Sequence, residues 1–117
     1  MQDRERPSHI VVLTTLENGD QARAFVRQLL ERRVIACGTV FADVTSLYRW
    51  NGDVQEAAET QVLLKTRRDR WEDLQAAVRE LHPYDVPELL ALPVQEGLPS
   101  YLDWVADETI VEGRGSA

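Results

Sequence analysis

This chain of 117 residues is short of several residue types, and each shortage excludes something. It has one cysteine, Cys37, which rules out an intrachain disulfide and any zinc site built from several cysteines. Lys and Arg together number 13 against 20 Asp and Glu, giving a formal net charge of −7. A nucleic-acid binder draws most of its affinity from neutralised phosphates, so this balance argues against one. No apolar run approaches the roughly 20 residues that span a bilayer, and no membrane role is expected. The first seven residues mix charges without an apolar centre, unlike a signal peptide, so the expected location is the cytoplasm. Lysine is the rarest charged residue: Lys65 stands alone beside 12 arginines.

What is present reads as one soluble globular domain, with 44% hydrophobic and 28% charged residues. The domain is expected over 8–110, with flexible ends at 1–7 and 111–117. His9 to Leu16 is a β-branched apolar run bounded by Asn18-Gly19, the pattern of a central strand buried on both faces. Asp20 is a candidate N-cap for a helix whose apolar stripe is Ala22, Phe25, Val26, Leu29 and Leu30, ending near Arg32-Arg33. Strand-forming residues run from Ile35 to Trp50, and Asn51-Gly52 is a strong hairpin signal. The return strand spans about Asp53 to Arg67. Asp69, with Glu72 three residues on, is the candidate cap of a second helix carrying Trp71, Leu74, Val78 and Leu81. A strand over Glu88–Val94 and a short helix from Gly97 onward close the chain.

This order defines an α+β protein: a ferredoxin-like β-α-β-β-α-β antiparallel sheet with helices on one face, plus a C-terminal helix. Pro93 suits that topology, since its last strand lies at an edge where proline is tolerated. The hairpin adds a length argument. Sixteen residues from Ile35 to Trp50 would extend roughly 50 Å, whereas a domain of this size has a radius of gyration of about 13–14 Å. The hairpin must bend, or overhang and find a partner. Val44, Leu47, Tyr48 and Trp50 near its tip are a liability if left uncovered, so packing against other copies of the chain is expected.

The richest segment chemically is His82-Pro83-Tyr84-Asp85-Val86-Pro87-Glu88, which runs into Leu89-Leu90-Ala91-Leu92-Pro93-Val94. Its prolines fix their own φ and push His82 and Val86 toward extended geometry. An imidazole, a phenol and two carboxylates on a stiffened loop look like a site. His82 and Glu88 are candidate ligands for a borderline cation such as Cu, Zn or Ni, with Asp85 or Tyr84 assisting. The alternative is structural: His82 caps the preceding helix and Glu88 opens the strand. Cys37 is either a soft third ligand or a small core hydrophobe.

The sequence resembles the CutA family, proteins linked to divalent-cation tolerance. The matching blocks are Ala36-Cys37, Val44 to Gly52, Leu64-Lys65-Thr66-Arg67, His82 to Val94 and Tyr101-Leu102-Asp103-Trp104. The resemblance implies a compact homotrimer in which hairpins reach across to neighbouring subunits, with a role in tolerance to copper and other divalent metals. Such trimers look similar to nitrogen-regulatory PII proteins, which implies an alternative: a small-ligand sensor without a designed metal site. Tyr48, Trp50, Lys65, Tyr84 and Asp85 would then line an intersubunit cleft with one fixed cation. Two departures stand out. Thr14 replaces a cysteine, and Leu81-His82 replaces a His-His pair, that some bacterial members carry. Gly38, where a larger apolar residue is usual, suggests a locally altered strand.

Rival classes fit less well. An acylphosphatase-type enzyme would need an anion-cradling loop after the first strand, where Leu16-Glu17-Asn18-Gly19-Asp20 is acidic. An RNA-recognition module would need stacked aromatics in a basic field. No Ser/His/Asp arrangement or nucleotide loop occurs. The expectation is a non-enzymatic protein with no obligatory cofactor.

Overall fold

A computed structural model of the chain describes residues 8–110; the expected flexible ends, 1–7 and 111–117, lie outside the described residues. Eight residues, His9–Leu16, form β1, followed by α1 (Gly19–Glu31), β2 (Cys37–Trp50) and β3 (Asp53–Arg67). A 3-10 turn (Arg68–Arg70) leads into α2 (Trp71–Leu81), then β4 (Leu90–Pro93) and α3 (Pro99–Glu108). All neighbouring strands pair antiparallel in the order β2-β3-β1-β4, the ferredoxin-like arrangement.

The core lies between the sheet and the pair α1 and α2. Ile10, Val12 and Leu16 of β1 and Val62 and Leu64 of β3 meet Phe25, Val26 and Leu29 of α1 and Leu74 and Val78 of α2. Both helices carry their apolar residues at helical spacing, which is why one face of each is buried. On β1 burial alternates along most of the strand, so the expectation of a strand buried on both faces is corrected. Its second face is covered only in part, by α3: His9 Nε2 donates to the Leu102 carbonyl at 2.9 Å, and Arg67 reaches Thr109 from β3.

Several local details differ from expectation, each for a physical reason. The N-cap of α1 is Asn18, whose Oδ1 accepts from the Gln21 amide at 2.8 Å; Asp20 lies in the first turn and pairs with Arg23. Asp69 falls inside the 3-10 turn, and α2 starts without a side-chain cap. Helix α1 ends with the amides of Arg33 and Val34 donating back to Leu30 and Leu29, a Schellman closure. The residue in the left-handed position is Arg33 (φ 57°), not glycine, and its carbonyl accepts from the buried Arg70. Ile35 and Ala36 are buried connections preceding β2, and the last strand begins at Leu90, not Glu88.

Gly38 does not distort its strand: it pairs in register with Leu64. A Cβ there would lie 2.6 Å from Val26 Cγ1 and 3.2 Å from a Leu64 methyl, so the missing side chain is what lets α1 approach the sheet. The hairpin turns at Asn51 (φ 52°) and Gly52 (φ 84°), both in the left-handed region that a type I′ turn requires. It bends at a bulge between Phe41 and Val44, where Asp43 adopts φ 62°. Beyond the bulge it overhangs, and the longest dimension of the molecule is 48 Å. Leu47, Tyr48, Trp50 and Val54 on this arm are all exposed. Strand β4 pairs on one side only, with Pro93 at that edge as anticipated.

Candidate functional site

The loop after α2 is built around one buried imidazole. His82 is the C-terminal cap of α2, with ψ 135°, the extended geometry that Pro83 imposes. The residue is 7% exposed, and its ring points inward across the end of β1. Nε2 lies 2.9 Å from the Thr15 carbonyl oxygen, which can only accept, so Nε2 carries the hydrogen; the Thr14 hydroxyl is 3.3 Å away. Nδ1 is then the acceptor, and it receives the Tyr84 backbone N–H at 3.1 Å. The ring packs edge-on against Phe25 and Tyr84, with centroids 5.2 and 4.8 Å away. Burial holds the imidazole below its ordinary pKa, opposed by the Thr15 carbonyl bond and the charge of Glu59. Both ring nitrogens thus work within the fold.

Tyr84 completes the knot. Its hydroxyl donates to Glu59 Oε2 at 2.9 Å, fastening the loop to β3 near the root of the overhanging arm. Burial, the Glu59 hydrogen bond and the charges of Glu59, Glu17 and Tyr48 raise the phenol well above its ordinary pKa. Glu59 is therefore the loop's tether. Asp85 and Glu88 are exposed and outside this knot.

Cys37 and Lys65 lie elsewhere. They pair across β2 and β3 on the sheet face opposite α1 and α2, with Val11 of β1 beside Lys65. Lys65 Nζ donates to Thr39 Oγ1 at 2.6 Å and stands 3.8 Å from Cys37 Sγ. Val11 is four residues along β1 from Thr15, about 13 Å, so one ion cannot touch both Cys37 and His82 of one protomer. Among the described residues, no three His, Cys, Asp or Glu side chains are grouped closely enough to hold a metal ion. Tyr48 and Trp50 sit out on the arm, Tyr84 at its root and Lys65 deeper along β3, so one protomer does not gather the expected cleft residues into one cavity. Among the described residues, no helix is long and apolar enough to cross a membrane.

Sequence reasoning missed two participants. Thr15 contributes through its carbonyl, which no side-chain pattern announces. Glu59 looked like one solvated charge among several on a long strand.

The antiparallel split β-α-β sheet, the outsized second hairpin and the histidine-anchored proline loop define a ferredoxin-like protein with an extended arm. The model of the CutA1 divalent ion tolerance protein family matches residues 10–108, and the chain belongs to that family. It is 42% identical over 99 residues to the divalent-cation tolerance protein CutA of Thermus thermophilus, covering 85% of this chain and 96% of that one. The solved Thermus structure superposes with a TM-score of 0.84, over 86% of this chain and 98% of that one. CutA of Pyrococcus horikoshii is 39% identical over 100 residues, covering 86% and 97% of the two chains. The CutA1 structure from Oryza sativa, 32% identical, gives a TM-score of 0.86 over 90% of this chain and 96% of that one.

Proposed function

We propose that the chain acts as a non-enzymatic homotrimer in the cytoplasm, contributing to divalent-metal tolerance by holding cations weakly where subunits meet. The observation that carries this reading is the arm. Leu47, Tyr48, Trp50 and Val54 are each 44–66% exposed on a hairpin that leaves the body, an arrangement that a second chain would cover. Family membership agrees with the metal role.

The donor set tested in one protomer does not fit a resident ion. His82 would have to give up its bond to Thr15 or to Tyr84 before ligating, and Cys37 faces a different side of the sheet. The exposed carboxylates of Asp85 and Glu88 are the groups open to a cation, and a neighbouring subunit must supply the rest. Weak occupancy by Cu(II), less readily by Zn(II) or Ni(II), is the expected behaviour.

Two measurements test the reading. Sedimentation at micromolar concentration is expected to give a trimer; a monomer would remove the subunit-boundary site. Calorimetric titration with Cu(II) should show weaker binding in a His82→Ala, Glu88→Gln double variant. Equal affinity would take the loop out of the metal role.

A further inference from the structure

The chain contains two asparagines, and both stand in the same tripeptide, Asn18-Gly19-Asp20 and Asn51-Gly52-Asp53. Asparagine is among the thermally labile residues, and a following glycine leaves the next backbone nitrogen unscreened by a side chain. Identical neighbours give the two sites the same intrinsic chemistry. The fold treats them differently.

Asn18 is locked at the start of α1. Its Oδ1 accepts from the Gln21 amide at 2.8 Å, and its backbone carbonyl accepts from the Ala22 amide at 3.0 Å. Side chain and main chain are thus both engaged in the first helical turn. The Arg23 guanidinium also lies over Gly19, 3.3 Å from where a Cβ would stand. Asn51 occupies the exposed end of the arm with φ 52°, a left-handed conformation that an L-residue leaves without penalty. Among the described residues, neither its side chain nor the Gly52 amide has a hydrogen-bond partner. Nothing lies within 4 Å of where a Gly52 Cβ would stand, and the turn is closed only by the Trp50–Asp53 strand pair.

The geometry points to Asn51 as a site of spontaneous deamidation, a reaction from which the helix cap protects Asn18. The Gly52 nitrogen gives up its proton to solvent base and bonds to Asn51 Cγ. The bond from Cγ to the side-chain nitrogen breaks, and that nitrogen takes up a proton and leaves as ammonia. Water then opens the five-membered imide at one of its two carbonyls. Cleavage between Gly52 N and the main-chain carbonyl of residue 51 gives isoaspartate, with the chain routed through the side chain; cleavage at Cγ gives aspartate. One ammonia is lost and one water gained, with no change of oxidation state. Ring closure requires residue 51 to rotate about its Cα–C bond, which at the arm's end disturbs only the turn. At Asn18 the same rotation would undo the cap and the first helical hydrogen bond. Either product adds a carboxylate beside Asp53. Isoaspartate also adds one backbone atom to a two-residue turn whose geometry sets the Trp50–Asp53 pairing. The reaction needs neither a metal nor a second subunit, only water at the tip.

Timed incubation of the intact protein in warm alkaline buffer, followed by tryptic peptide mapping with mass spectrometry, tests this. Cleavage after Arg23 and Arg49 places the two asparagines on separate peptides. In the folded protein Asn51 should convert roughly tenfold faster than Asn18, because attack at Asn18 waits on opening of a capped helix start. Isoaspartate should appear at position 51 alongside aspartate. In concentrated urea the two rates should converge, since the tripeptides are identical. Asn51→Gln should remove the mass change from the tip peptide and leave the slow reaction at Asn18 as it was. Equal rates in the folded protein, faster loss at Asn18, or a difference that persists unchanged in urea would overturn the proposal.

Discussion

The loop at His82–Glu88 and the sheet face at Lys65 differ in a way that residue types alone do not reveal. The loop is crowded with groups that bind things, yet its imidazole spends both nitrogens on Thr15 and Tyr84, and its phenol is given to Glu59. The Lys65 face has few such groups, but its ammonium meets the Thr39 hydroxyl and lacks a carboxylate partner among the described residues. Ligand-type side chains mark a place where polar chemistry occurs; unspent donors mark a place where it can be offered outward.

The contrast breaks most decisively on stability. Chemical denaturation at matched protein concentration should show His82→Ala destabilised by roughly 2–4 kcal/mol. The change opens a cavity beside Phe25 and strips partners from the Thr15 carbonyl and the Tyr84 amide. Lys65→Met should cost less than about 1 kcal/mol, as expected of a partly exposed side chain. Equal losses would mean that the two regions do not divide into structural and open.

A pH series sharpens the same point. Folded His82 takes up a proton only below the ordinary value of 6.5, because burial disfavours the cation. Above 6.5 neither the folded nor the unfolded chain holds that proton, and its full contribution to stability is present. As pH falls from there through the folded value, the unfolded chain binds more protons and stability declines. Denaturation midpoints from about pH 8 to about pH 5 should fall in the wild type and fall less in His82→Ala. Parallel curves would assign the slope to other groups.

A more local effect is expected at the tether. Tyr84→Phe deletes one part-buried hydrogen bond to a carboxylate and should cost about 1.5 kcal/mol, the low end for a charged acceptor. Hydrogen exchange should then quicken at the loop amides ahead of those in the core. Unchanged loop protection would show that Glu59 does not hold it.

Much of the fold was legible because it rests on periodicity. Alternation and helical spacing located the four strands and three α-helices of the described residues, and Asn51-Gly52 set the hairpin turn. Boundaries escaped where the deciding contact was tertiary or made by a backbone. Asp20 and Asn18 are both plausible caps in sequence, and only the geometry at Gln21 separates them. Arg33 closes α1 in a position usually left to glycine, supported by Arg70 from another element. At the site, Pro83 implied the extended backbone that His82 adopts. Whether His82 faced outward or inward depended on the Thr15 carbonyl, which has no signature in composition or spacing.

The bulge at Asp43 deserves a different description, as a phase shift. Before it, Cys37 faces Lys65 and Thr39 faces Leu63, so odd-numbered residues of β2 share a face with odd-numbered residues of β3. After it, Tyr48 faces Gln55 and Trp50 faces Asp53, even with odd. One inserted residue therefore moves Tyr48 and Trp50 onto the side that carries Cys37 and Lys65. Deleting Asp43 would leave Tyr48 opposite Gln55 and Trp50 opposite Asp53, because β3 runs on without interruption; it would remove the bend and keep the faces of the arm.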